Sequence, residues 1–127
     1  MPTRYHYDPA TRIVWIEITG ELRESELVDL AEKLASDESF APGHSELVDL
    51  RGLVHTDVTP TVLRQVAGIF ARTDRHPELT RVAMCAPLDL AFGLSRMYEA
   101  YRESSGVKLR VFRTLEEAER WLADGDA

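Results

Sequence analysis

The sequence predicts one α/β domain over residues 1–127, with a mixed five-stranded sheet and four helices packed mainly on one of its faces. Three observations predict it. Short apolar runs alternate with stretches of helical periodicity, the order that builds strand–helix units around parallel strands. A β-favouring run ahead of the first of them, joined to it by a turn, adds an antiparallel hairpin at the start. The length, 127 residues, suits a single domain and buries roughly two-thirds of the unfolded chain's surface without a disulfide or metal.

The elements follow in order. Tyr5, His6 and Tyr7 favour a strand, and Asp8-Pro9-Ala10-Thr11 is turn chemistry. Arg12 to Thr19 is a strand rich in Ile, Val and Trp. Alternation puts Val14, Ile16 and Ile18 on one face and Ile13, Trp15 and Glu17 on the other. Gly20 is expected to break it. Leu27, Leu30, Ala31 and Leu34 then recur at helical spacing, with Glu24, Glu26, Asp29 and Glu32 toward solvent; Pro42 and Gly43 close that segment. Leu47 to Leu50 reads as a short strand ended by Arg51-Gly52. A loop through His55 and Asp57 leads to Thr59-Pro60, a helix start with Thr as N-cap and Pro in the first position.

Val62, Leu63, Val66, Ile69 and Phe70 form one face of that helix, which runs to about Arg72, and Asp74 to Pro77 is a loop. Val82 to Ala86 is nearly all apolar, the pattern of a buried parallel strand, and Pro87 stops it. A helix from about Leu88 to Glu103 shows a stripe of Leu90, Leu94, Met97 and Tyr101, with Phe92 well off it. Gly106 precedes a strand from Val107 to Arg113, which puts Lys108, Arg110 and Phe112 on its second face. Thr114 and Glu117 form a capping box, and the last helix buries Leu115, Ala118, Trp121 and Leu122. Right-handed crossovers place the strands of these units in one mostly parallel sheet.

Composition excludes several roles. Fifteen Lys and Arg against 22 Asp and Glu leave a net charge of −7. That argues against gripping nucleic acid by phosphate neutralisation and against docking on an anionic membrane through a basic patch. No apolar run approaches the ~18–20 residues of a membrane span. No basic-then-apolar leader opens the chain, so a cytoplasmic protein is expected, and the single Cys85 fits a reducing compartment. Asp49, His55 and Asp57 are metal-capable but poorly spaced for three or four converging ligands. Cys85 in its apolar strand reads as a small hydrophobe. No nucleophile–base spacing or Gly-rich phosphate loop is present. No catalytic residue, cofactor or metal is therefore expected.

Three surfaces are the candidates for function. Thr59 is a helix cap, or an acceptor whose phosphate would meet the helix N-terminus. Leu88 and Phe92, near Arg96 and Glu99, either pack under a loop or form an exposed apolar lip. Such a lip serves as a dimer contact, a partner site or the mouth of an apolar pocket. Tyr5, Tyr7, Ile13, Trp15, Lys108, Arg110 and Phe112 are expected to share the sheet face away from the helices. That face is either open, as interface material, or covered by loops or the last helix.

Four pieces of sequence carry a resemblance that spans nearly the whole chain. They are Tyr7-Asp8 with Arg12-Ile13-Val14; Leu47-Val48-Asp49-Leu50-Arg51; Ala91-Phe92-Gly93-Leu94-Ser95-Arg96-Met97-Tyr98; and Val111-Phe112-Arg113 with Glu117-Ala118 and Trp121-Leu122. Together they resemble the STAS superfamily, the fold of bacterial anti-sigma-factor antagonists and of the cytoplasmic domains of sulfate transporters. The nearer likeness is to bacterial STAS/SEC14-like proteins. The resemblance implies a STAS-like fold. In the antagonists a Ser or Thr after an Asp, in an Asp-Ser-Ser-Gly type of pattern, is phosphorylated by a partner kinase. Asp57-Val58-Thr59-Pro60 falls at that place; Asp57 matches the Asp and Thr59 the hydroxyl, while Val58 and Pro60 depart from the pattern and the Gly is absent.

The expected function is a non-enzymatic interaction or regulatory module of a bacterial cytoplasm, phospho-switched at Thr59. It would work through a protein partner or self-association as a homodimer, with Tyr7, Trp15, Phe92, Arg96 and Phe112 as its surface. The alternative is a small apolar-ligand or lipid binder. Its pocket would lie near the Leu88–Met97 helix, lined by Leu90, Phe92 and Met97, as the SEC14-like relatives imply.

Overall fold

The computed structural model describes residues 2–40, 43–71 and 79–124. Its order is β1 (Thr3–Asp8), β2 (Ile13–Leu22), α1 (Glu24–Ser36), β3 (His44–Thr56), α2 (Pro60–Ala71), β4 (Leu79–Cys85), α3 (Asp89–Tyr101), β5 (Lys108–Phe112) and α4 (Leu115–Asp124). The five strands form one sheet in sequential order, β1-β2-β3-β4-β5. β1 and β2 pair antiparallel, and every later pair is parallel. The mixed sheet with four helices is the expected architecture. Pro42 and the expected Asp74–Pro77 loop lie outside the described residues.

The hairpin turn is built by Asp8, whose carboxylate accepts the Ala10 N–H at 3.0 Å and whose carbonyl accepts the Arg12 N–H at 2.8 Å. Two strands run longer than expected, for one reason. β2 does not stop at Gly20, and β3 does not stop at Arg51-Gly52. They continue together, pairing Thr19 with Gly52, Gly20 with Leu53 and Leu22 with Thr56. Gly20 takes a left-handed φ of 68° at a register shift, which lets the strand bulge and go on. At Gly52 a Cβ would lie 2.8 Å from Thr19 Cγ2, so a larger residue there would have to push the Thr19 side chain aside. Both glycines punctuate the sequence as breaks yet serve inside the ladder.

The register divides the sheet into two faces. One carries the rows Tyr5–Ile16–Val48–Met84–Val111 and Tyr7–Val14–Glu46–Val82–Leu109. The helices α1, α2 and α3 cover it and form the larger core through Leu30, Leu34, Leu63, Val66, Phe70 and Tyr98. The other face carries the rows His6–Trp15–Leu47–Ala83–Arg110 and Arg4–Glu17–Asp49–Cys85–Phe112. Among the described elements α4 alone packs there, setting Ala118 and Trp121 against Leu47, Ala83 and Cys85. Three helices on one face and one on the other agree with helices mainly on one side.

The α3 face differs from the expected stripe. Its buried residues are Ala91, Ser95 and Tyr98, while Leu90 and Met97 are exposed at 50% and 36%. Two anchors set this rotation. Arg113 at the end of β5 places its guanidinium 3.8 Å from the Phe92 ring centroid and pairs with Asp89 at 2.7 Å. At the other end, Arg102 donates to the Tyr98 hydroxyl at 2.8 Å and lies over the Phe70 ring. Small residues at positions 91 and 95 then face inward.

Candidate functional site

Between the sheet and the α1–α3 layer lies a cavity of about 110 Å³. Sheet residues Ile16, Ile18, Val48, Leu50, Val82 and Met84 form its floor. Leu27, Leu30 and Leu34 of α1, Leu63, Val66 and Phe70 of α2, and Ala91 and Leu94 of α3 complete the apolar wall. The helices run antiparallel to the parallel strands, so the two ends of the cavity differ. Where α1 and α2 begin, the lining is Leu22, Leu27, Thr56 and Val58, the last three half-buried. Where β3 begins and α3 ends, four polar side chains line it: Glu46, Ser95, Tyr98 and Arg102, each no more than 8% exposed. Alternating apolar residues do not reveal Glu46; only the register shows that it lies under the helices between Val14 and Val82.

The expected pocket residues lie elsewhere. Leu90, Phe92 and Met97 do not line the cavity; the opposite side of α3 does. Phe92 is half-buried under the Arg113 guanidinium, and Arg96 is an exposed partner of Glu99 at 2.9 Å. The apolar lip on α3 is instead Leu88, 54% exposed, with Leu90.

On the second face, Trp15, Ile13, Arg110 and Phe112 gather as expected, but Tyr5 and Tyr7 do not. Tyr5 and Tyr7 are opposite Ile16 and Val14, on the helix-covered face, where both pack on Phe40. A tyrosine's face is fixed by the hairpin register, and a one-residue shift exchanges it. His6 takes the place beside Trp15, with rings stacked at 6.5 Å and an interplanar angle of 2°. Arg4 pairs with Glu17 at 2.7 Å in the next row. Phe112 touches Trp121 at 5.8 Å between ring centroids, with the Arg110 guanidinium 5.3 Å over it. α4 covers the part of this face formed by β3, β4 and β5, leaving Trp15 half-buried at its margin.

Thr59 is exposed and caps α2: its Oγ1 accepts the Val62 N–H at 3.4 Å and its carbonyl the Leu63 N–H at 3.1 Å. Pro60 is the first helical residue. Asp57 has a structural task that the sequence does not show: its carboxylate accepts the Glu24 N–H at 3.0 Å and so caps α1. Asp49 accepts two hydrogen bonds from the Arg51 guanidinium, at 3.0 and 2.9 Å, and one from the Arg51 N–H. Burial works against its ionisation, yet the Arg51 donors prevail and hold the carboxyl below its ordinary range. Burial, reinforced by the nearby Asp49 charge, pushes the Cys85 thiol up, away from a reactive thiolate. Among the described residues no group of three or more His, Cys, Asp or Glu could hold a metal ion. Among them, too, no helix is long and apolar enough to cross a membrane.

No family model matches the chain. No curated protein matches it either. Among solved structures it is similar to an uncharacterised protein of the DUF3478 family with a SpoIIAA-like fold from Shewanella loihica PV-4. The two are 14% identical; the alignment covers 94% of this chain and 91% of that one, with a TM-score of 0.60. The likeness is one of fold, and it matches the strand and helix order built above. The chain therefore has the SpoIIAA-like, STAS-type fold that its sequence resemblance implies.

Proposed function

We propose that this protein is a non-enzymatic regulatory module of a bacterial cytoplasm that takes a small apolar ligand between its sheet and its three-helix layer. The cavity carries the reading. It is a half-open pocket of about 110 Å³ whose floor and helix walls are almost wholly apolar, the kind of concave site that takes small ligands. A benzene-sized guest is of the order of size that such a site holds. The cavity also touches all three helices of the layer, so a guest would tie them together.

Native mass spectrometry of the protein purified from its own host tests this. The expected spectrum shows a retained small mass in the natural protein and none in Ala91→Leu, whose longer side chain enters the cavity. A bare protein in both preparations refutes the reading.

The second reading is an interaction module, supported by the part of the second face that α4 leaves uncovered around His6 and Trp15. A protein partner or a second copy of the chain would cover Trp15 and His6, which stacks on it. Trp15→Ala should then weaken self-association or partner capture, with the melting temperature nearly unchanged. Analytical ultracentrifugation reads the first of these; a fall in melting temperature instead would make Trp15 a core residue. A phospho-switch at Thr59 belongs to this reading. The same native spectrum would then show a phosphate that disappears in Thr59→Ala.

A further inference from the structure

The cavity is not uniformly apolar, and its polar end selects among ligands. We propose that its ligand is an uncharged amphiphile, a compact hydrocarbon or aryl body bearing one hydroxyl or amide head group; this rests on the cavity reading above. The body is set by the apolar floor and helix walls and by the volume of about 110 Å³. The head group is set by the end where Ser95, Tyr98, Glu46 and Arg102 line the wall.

Ser95 is the pointer. It is 2% exposed, on the inward face of α3, and no hydrogen bond joins its hydroxyl to a described residue. A buried hydroxyl left without a partner is costly, and a ligand group that both donates and accepts would meet it. The Tyr98 hydroxyl nearby accepts from Arg102.

Charge decides between head groups. Among the described residues that line this end, one carboxylate, Glu46, and one guanidinium, Arg102, are buried, at 7% and 4% exposure. Opposite charges at one buried end balance. A carboxylate or ammonium on the ligand would add an odd charge there and lose its hydration as well. An uncharged donor–acceptor group adds none.

Four probes with one carbon frame test this by NMR titration of the full chain: toluene, benzyl alcohol, benzoate and benzylammonium. Benzyl alcohol should bind about two- to tenfold more tightly than toluene, the range of one net hydrogen bond. Both ions should bind at least about tenfold more weakly than the alcohol. In Ser95→Ala, toluene should keep its affinity while the alcohol loses its advantage. A mere packing role for Ser95 would move both probes together. An ion that binds as well as the alcohol overturns the inference. So does an alcohol no better than toluene, or an advantage that survives Ser95→Ala. In each of those cases toluene binding still supports the cavity reading. If toluene does not bind either, the cavity reading itself falls.

Discussion

The two faces of the sheet are packed by different rules. On the face under α4, Leu47, Ala83, Cys85 and Ala118 are wholly buried, and three of these four side chains are small. Small side chains let α4 come close to the strands and leave little room between them. On the face under α1–α3 the core is built mostly from larger aliphatic and aromatic side chains, and Ala91 and Ser95 of α3 line a pocket among them. The two faces thus differ in what they leave free: the described pocket lies under the three helices, while the cluster under α4 is made largely of small, wholly buried side chains.

The same substitution made on both faces tests that division and carries the largest expected effect. Ala83→Leu puts three carbon atoms where α4 lies on the sheet and should cost about 1–3 kcal/mol by overpacking. Ala91→Leu puts the same three atoms into the cavity and should be neutral or stabilising by up to about 1 kcal/mol. Urea unfolding of both variants, with the m-value compared to the natural protein, measures the difference. Equal losses would mean that the two faces are packed alike.

The sequence makes the two faces unequally legible. The element order, the capping box at Thr114 and the burial of Ala118 and Trp121 follow from local periodicity, because one turn or one alternation contains the information. The cavity does not. It depends on the rotation of α3, which Arg113 on Phe92 and Arg102 on Tyr98 set through contacts distant in the chain or beyond the helix's last turn. The apolar count alone points to Leu90 and Met97 as the buried stripe. Glu46 reads as a strand's polar flank until the register puts it between Val14 and Val82. Tyr7 and Trp15 appear to share a face only until the hairpin pairing is known: Tyr7 is opposite Val14, and His6 is opposite Trp15. In the same way, Asp57 looks like part of a recognition motif until the Glu24 N–H is found on its carboxylate.

Asp49 sharpens the comparison from the rigid side. Among the described residues it is the one nearly buried carboxylate in the rows of the α4 face, and Arg51 donates three hydrogen bonds to it at 2.9–3.0 Å. Asp49→Asn should cost about 1–2 kcal/mol at neutral pH, the worth of hydrogen bonds to a charged group. The sign of the pH dependence follows from its depressed folded value. The contribution is present in full well above the ordinary carboxylate value of 3.8 and is lost as pH falls through the lower folded value. Unfolding curves of the two proteins should therefore lie apart at pH 7 and converge under strongly acidic conditions. A gap that persists unchanged in acid would assign the loss to packing and leave the carboxylate's charge without a part in it.

Thr59 carries the smallest expected effect and tests the flexible side. It starts α2 one residue after Val58, a half-buried part of the cavity wall. Its capping hydrogen bond is long, 3.4 Å, so Thr59→Ala should cost about 0.5 kcal/mol, the low end for an N-cap. Thr59→Asp should recover that loss, since a carboxylate caps equally well and favours the positive helix end. If the three-helix layer is the adaptable one, the small loss should also appear as faster amide exchange in the first turn of α2, with the α4 face unaffected. Uniformly faster exchange over both faces would mean that the domain opens only as a whole. The void would then be a fixed feature of one rigid body, with no adaptable layer over it.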